Sequence, residues 1–468
     1  MPTYFDLFPN FREFICALIL MHFAEEILSG WGNIPRSVNK VAYPRSANDV
    51  KEILAVDKLL PRGLGRSYAD QATNTGHIVM KLERMNHLLA FDADKGILEC
   101  EAGTSLLDII QTFTPKGWFP MITPGTKYVT IGGAIANDVH GKAHHVDGSF
   151  VNCVLDFTIM LADGRIVKAS REENSDLFWA NFGGLGLLGI ILTARLQLRK
   201  IETTYFVQKA VSAKNLDEML LAIDDSDKEY SSSVAWLDSM AKGKNLGRGV
   251  LTMGNTAKLS DLPDKLKSNP LMIGKKPILS VPLYLPGFIL NMFTVRILNV
   301  VLYQMQKRGS GIAHYDSFFY PLDMINNWNK GYGKRGFIQY QFVIPEKNGS
   351  ENIRKILEEI TKSDCVPFLN VLKKFGKGQG GLLSFPFAGY TFAIDFPITS
   401  KLRHFTKKLD DMVLAMDGRI YMGKDAYLDE PTFKAMYPQH REWLEIKKKY
   451  DPTNVFSSDL SRRIGLDI

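Results

Sequence analysis

Apolar and polar positions change period several times along the chain, and each change predicts an element. "AYPRSANDVKEILAV" (42–56) reads as an extended Pro segment and then a helix, with Ser46 and Asn48 as candidate caps. "TSLLDIIQTFTPKG" (104–117) is amphipathic at helical spacing, capped by Thr104 or Ser105 and stopped by Gly117. "HIVMKL" (77–82) and "ILECEAG" (97–103) read as strands, and "CVLDFTIMLADGRIVKAS" (153–170) as two strands joined through Asp163-Gly164. The glycine-rich, short-strand texture changes near "IETTYF" (201–206). Beyond it, "YSSSVAWLDSM" (230–240), "FIQYQFVIP" (337–345), "FLNVLKKFG" (368–376) and "YTFAIDFPI" (390–398) read as strands. Alternation puts Gln339 and Gln341 on one face. "KLRHFTKKLDDMVLAMDG" (401–418) reads as a helix stopped by Gly418. The pattern predicts an α+β protein: an extension over 1–30, a first domain over 31–202, an inserted domain built on an antiparallel sheet over 203–418, and a segment over 419–468 that returns to the first domain.

Two apolar stretches stand outside this pattern. "FREFICALILMHFAEEIL" (11–28) has acidic flanks and no basic leader region, so it does not read as a signal peptide. It is also too short for a membrane span. An ordinary amphipathic helix and an interfacial anchor both fit it. "PILSVPLYLPGFILNMFTVRILNVVLYQM" (277–305) carries Pro282, Pro286 and Arg296, which count against a span. Core helices of the second domain fit it, and so does a flap that meets lipid or a lipidic substrate.

The 468 residues, 45% apolar and 23% charged, suit a soluble protein of two or three domains. A net charge of +7 favours anionic partners. No basic stripe interleaved with aromatics points to nucleic acid. A phosphate-bearing substrate or an acidic membrane surface fits the charge better, and the expected location is cytoplasmic or peripheral to a membrane. Cys16, Cys100, Cys153 and Cys365 form no C-x-x-C pair, so neither a zinc site nor a disulfide framework is expected. His144 and His145 have no cluster of acids or cysteines beside them, so no metal is expected there either.

"GGLGLLG" (183–189) matches G-x-G-x-x-G at Gly184, Gly186 and Gly189. The dinucleotide motif needs a strand before it and a helix after it. Here the order is reversed, which predicts close backbone packing instead. Two other glycine loops, "PRGLGRSYAD" (61–70) and "PGTKYVTIGGAIANDVHGKAHH" (124–145), can present bare N–H groups to a pyrophosphate and to a flat ring system.

These two loops resemble the FAD domain of the vanillyl-alcohol-oxidase-like (PCMH-type) flavoproteins. "SVAWLD", "FIQYQFVIP", "FLNVLKKFG", "DFPI" and "YMGKDAYL" follow in the order of one branch of that family, which oxidises the 2′-hydroxyl of polyprenylphosphoryl-β-D-ribose. The likeness runs from Trp31 to Arg463. It implies that FAD is held by Pro61, Arg62, Gly63, Leu64, Gly65, Arg66, Ser67, Tyr68, Ala69, Asp70 and Gln71 on its pyrophosphate and adenine side. Gly125, Thr130, Ile131, Gly132, Gly133, Asn137, Asp138, Val139, His140, Ile190 and Tyr421 should line the flavin. Arg66 stands where many relatives carry a tethering His, and 124–145 contains no Cys, which implies non-covalent FAD.

The resemblance also makes Lys424, His140 and Lys142 the catalytic candidates. Gln339, Gln341, Asn370, Lys373, Phe375, Thr391 and Ala393 are the implied substrate contacts. The implied partners are a polyprenyl-phosphate-linked sugar and an NAD(P)H-dependent keto-sugar reductase, which together make the arabinose donor for cell-wall polymers. Ala393, Thr391 and Phe319 replace the Cys, Asn and Tyr of that branch, leaving the exact sugar open. A soluble alditol or aldonolactone oxidase of the same superfamily is the alternative, although Met422 stands in "YMGK" where those enzymes carry Trp.

Overall fold

The structure, a computed structural model, describes residues 23–274, 277, 279–306, 309–378 and 380–468. Its strands are, in chain order, β1 (Ala24–Ser29), β2 (Arg36–Ala42), β3 (Leu59–Arg62), β4 (Ile78–Lys81), β5 (Leu88–Asp92), β6 (Ile97–Glu101), β7 (Trp118–Pro120), β8 (Val154–Met160), β9 (Ile166–Ser170) and β10 (Ile190–Lys200). They continue as β11 (Tyr205–Ala213), β12 (Ser232–Leu237), β13 (Gly249–Thr256), β14 (Leu279–Ser280), β15 (Gly309–His314), β16 (Ile325–Asn326), β17 (Phe337–Pro345), β18 (Asn370–Phe375), β19 (Gly389–Pro397) and β20 (Arg419–Ile420).

The first four strands form a sheet in the order β1-β2-β4-β3. The next six form a second, ordered β5-β6-β10-β8-β9 with β7 on β10. An eight-stranded antiparallel sheet follows, ordered β15-β11-β13-β12-β18-β19-β17-β20. The β8–β9 turn has Gly164 in the left-handed region (φ 80°), the conformation that suits Asp-Gly to a hairpin. Ser105 caps the helix Leu106–Phe113 in a reciprocal capping box with Asp108.

Three expectations change. The helix expected over 11–28 lies outside the described residues up to 22, and from Ala24 the chain is strand, paired antiparallel with β2. The first sheet is therefore entered before residue 31. At the other end, β20 pairs with β17, so the segment after 418 first completes the eight-stranded sheet before it returns. The helix Leu402–Ala415 is turned out by Asp417 in the left-handed region (φ 55°). Gly418 follows because a Cβ there would lie 2.6 Å from the Val343 carbonyl oxygen.

One continuous apolar core runs from the second sheet into the eight-stranded sheet. The returning segment is pinned to the first unit by polar groups inside that core. Trp443 Nε1 donates to the Ala180 carbonyl, and the fully buried Lys447 donates to the Leu187 and Phe456 carbonyls and to Asp451. Of the apolar stretch 277–305, the described part forms β14 and the helix Met292–Met305 on the surface, where most of its large side chains are exposed. It is not a core helix. Among the described residues no helix is long and apolar enough to cross a membrane.

Candidate active site

The first glycine loop leaves β3 and folds back beneath the returning segment. Arg62 ties it down, donating to the Ser29 carbonyl at 2.9 Å and to the Ala72 carbonyl. Gly65 takes a left-handed φ of 64°, and a Cβ there would strike the Arg62 guanidinium. A Cβ on Gly63 would lie 2.1 Å from Thr130 Oγ1, so the two loops touch through a missing side chain. Thr130 caps the helix Ile131–Ala136 by accepting from the Gly133 N–H. Gly132 brings its N–H to the Ala102 carbonyl at 2.8 Å.

These loops form one wall of a cavity of about 750 Å³. Its opposite wall is the eight-stranded sheet. Cross-strand register sets Gln341 beside Ala393 and Ala393 beside Val371, and sets Gln339 beside Asp395. Tyr421, Gly423 and Lys424, just past β20, close the cavity between the walls. Tyr421 donates to the Asn137 carbonyl at 3.1 Å, stitching the return to the second loop.

Most of the expected site residues meet here. Pro61 to Tyr68, Gln71, Gly125, Thr130, Gly132, Gly133, Asn137, Val139, His140, Lys142, Gln339, Gln341, Lys373, Ala393, Tyr421 and Lys424 all line the cavity. Others do not. Ala69 and Ile131 are in the core. Asp70 turns away into a two-pronged pair with Arg463 (2.7 and 2.8 Å). Asp138 accepts from Ser149, Ser384 and the Val151 N–H. Ile190 packs in a separate cluster, and its neighbours Gly189 and Ile191 line the cavity instead. Asn370 is on the far face of β18, since Leu369, Val371 and Lys373 share the inward parity. Phe375 and Thr391 act at one remove: Phe375 packs edge-on against the His140 ring at 4.7 Å, and Thr391 accepts from Gln341 at 3.0 Å.

Several lining residues carried no sequence signal of their own. The turn Leu185-Gly186, set aside as packing, closes the cavity floor against Pro61, and the Leu185 N–H donates to the Ala136 carbonyl. Trp31 and Tyr128 flank the Arg66 guanidinium, at 4.0 and 5.1 Å from their ring centres. Behind Gln339 sits the fully buried Asp395, which accepts from Gln339 at 2.5 Å and from Tyr332 at 2.8 Å. Burial lifts that carboxyl to about 6 against these bonds.

The cavity is cationic. Its lining holds Arg62, Arg66, Lys142, Lys373 and Lys424 against a single carboxylate, Asp323. Burial pushes the Lys424 ammonium down to about 7, helped by the charge of Lys373. Burial likewise lowers Lys142 to about 7 and Lys373 to about 8. Lys142 donates to the Phe318 carbonyl. His140 is held neutral, its pKa far below the ordinary value through burial and then the neighbouring Lys373, His144 and Lys424. The Gln341 amide meets its Nε2 at 3.3 Å; with the amide donating, the ring proton belongs on Nδ1, which has no partner among the described residues.

Buried cations without matching anions call for an anionic ligand. The buried Arg66 Nε, Asn137 Oδ1 and Gln341 Oε1 likewise lack partners among the described residues. A phosphate-bearing dinucleotide supplies such anions, and the glycines at 63, 65, 132 and 133 let the loops pack closely on Thr130, Arg62 and Ala102 around the cavity.

Residues 38–170 match the FAD binding domain family, and residues 335–464 match the D-arabinono-1,4-lactone oxidase family. The chain is 38% identical to the decaprenylphosphoryl-beta-D-ribose oxidase of Mycolicibacterium smegmatis over 453 residues, 94% of this chain and 97% of that one. It is 24% identical to the L-gulonolactone oxidase of Mus musculus over 90% of this chain and 94% of that one. Cytokinin dehydrogenase 2 of Arabidopsis thaliana is 28% identical over 34% of this chain and 33% of its own. FAD is the cofactor of the family matched over residues 38–170.

Proposed function

We propose, from the premise that this chain belongs to the decaprenylphosphoryl-β-D-ribose oxidase family of FAD-dependent oxidoreductases, that it oxidises the 2′-hydroxyl of a polyprenylphosphoryl-β-D-ribose to the 2-keto sugar. The observation that carries this reading is the pairing of buried Lys373 and Lys424 with Gln339 and Gln341 in one cavity. Two cations serve two anionic demands, and two amides serve a polyol.

FAD, when bound, supplies the hydride acceptor. The protein's part is positioning and charge. Lys424 in its ammonium form holds positive charge where negative charge develops at the cofactor's end of the cavity. Lys373 meets the sugar phosphate as a point charge. Gln339 spends its N–H on Asp395, which leaves its Oε1 to accept from a sugar hydroxyl. Neutral His140 offers a lone pair at Nε2, now occupied by the Gln341 amide, to the hydroxyl that loses its proton. Lys142 adds a third cation beside the substrate.

FAD is bound non-covalently in this reading, supported by Arg66 stacked on Trp31. Acid precipitation should release the yellow cofactor into the supernatant. A keto sugar of this kind needs a reductase to become the epimer, so an NAD(P)H-dependent partner and peripheral contact with the membrane that holds the lipid belong to the same proposal. The second reading, oxidation of a soluble aldonolactone or alditol, is favoured by the match over residues 335–464. Anaerobic titration separates the two. Bleaching of the flavin band at about 450 nm by a short-chain polyprenylphosphoryl ribose, with none by gulonolactone or xylitol, is the expected result. Bleaching by the lactone or polyol alone would transfer the proposal to the second reading.

A further inference from the structure

The helix Met292–Met305 is inside out. Its inward stripe carries Val295, Asn299, Leu302 and Gln306, spaced four, three and four residues apart. Asn299 is fully buried and donates to the equally buried Asp238 at 2.9 Å. Its outward face is apolar: Phe293 is 73% exposed and Met305 74%, and Phe288 in the preceding loop is 76% exposed. A soluble helix puts these residues the other way round. Singly exposed apolar residues need no explanation, but a contiguous set on one helix and its approach marks an interaction surface.

The charge around this face narrows the partner. Between Asp264 and Asp316 there is not one acidic residue, and there are seven Lys or Arg. Arg296 stands among the exposed apolar side chains of the helix itself. An apolar face that carries Arg296, in a stretch of sequence with basic and no acidic residues, is complementary to an anionic lipid surface. The place of the helix adds the second argument. Its inward residues Leu302 and Gln306 line the cavity. A single helix therefore separates the site from the face that meets lipid.

We infer that the outward face of Met292–Met305, with the loop before it, is a docking surface for anionic bilayers. This rests on the lipid-linked substrate proposed above only for its purpose. The docked helix would bring the cavity mouth to the depth at which a lipid-borne phosphate lies, so a substrate enters without leaving the membrane.

The test is flotation of the holoenzyme, without substrate, with phosphatidylcholine vesicles containing about one third phosphatidylglycerol. The full chain should float with these vesicles and not with pure phosphatidylcholine. The combined variant Phe288→Ser, Phe293→Ser, Met305→Ser should lose flotation by roughly tenfold or more. It should turn over a short-chain soluble substrate like the parent, because none of the three lines the cavity. Failure of the parent to float, or equal flotation of the variant, overturns the proposal. Equal flotation with neutral vesicles removes the anionic headgroup from it. Concentration-dependent dimers that the same variant abolishes, with no flotation, would instead make this face a contact between copies. The bleaching titration uses no membrane and the flotation uses no substrate, so each proposal can fail alone.

Discussion

One wall of the cavity is built from two glycine loops and the other from a pleated sheet. On the glycine-loop wall, the close approaches are between parts of the chain: Gly63 to Thr130, Gly65 to Arg62 and the Gly132 N–H to the Ala102 carbonyl. On the sheet wall they are made by Gln339, Gln341, Lys373 and Ala393, projecting at every second residue from three neighbouring strands. Main chain recognises what all members of a class share, such as pyrophosphate and a flat ring. Side chains on a pleated sheet can be exchanged one at a time without moving the backbone, so this is the wall on which substrate choice can drift. Lys424 lies between the two.

If that division holds, damage to each wall should give a different symptom. Lys424→Ala should slow sugar-dependent flavin reduction by about a thousandfold or more while the protein purifies yellow. Turnover like the parent's would remove Lys424 from its role. Gly63→Val should do the reverse. Its branched side chain meets Thr130, and cofactor affinity should fall roughly tenfold or more, read as absorbance lost on gel filtration. A fully loaded variant would show that the loops do not need their contact.

Lys373→Met should raise KM for the phosphate-bearing substrate by roughly ten- to a hundredfold and change kcat little. A pure kcat effect would move Lys373 to the cofactor's side. The pH profile sharpens the position of Lys424. Its pKa lies near 7, below the usual lysine value, so the ammonium persists below that pH and is lost above it. Sugar-dependent reduction should therefore fall as pH rises through about 7, and Lys424→Arg should flatten that fall. A flat profile for the parent would show that the charge is not needed. Smallest of all, Thr391→Val removes the acceptor that orients Gln341 and should raise KM about two- to tenfold. No change would show that His140 alone sets the amide.

The same division explains what the sequence disclosed. A backbone wall announces itself by composition, so both glycine loops were readable. Leu185 and Gly186 were not, because a G-x-G-x-x-G in reversed order has no mechanism of its own and joins the cavity only through tertiary packing on Pro61. A side-chain wall announces residue types without their phase. Asn370 looked like a sugar ligand, but the inward parity of β18 belongs to Leu369, Val371 and Lys373. The family resemblance implies Asp70 and Asp138 as cofactor contacts. Each instead satisfies buried donors, and Arg463 and Ser384 lie too far along the chain to be foreseen as partners. Four strands of the eight-stranded sheet, β12, β17, β18 and β19, are legible in the sequence; β11, β13 and β15 are not, and β20 has two residues that only its register with Phe342 and Val343 identifies.

Arg463 grips Asp70, 393 residues earlier in the chain, and holds Asp425 as well. During synthesis the first glycine loop is thus made long before the residue that fastens it. The loop is fastened only once the sheet wall and the returning segment have been made. The same holds for β3, whose Leu59 pairs with Val455, Phe456 and Ser457, so the first sheet too is completed by residues made long after it.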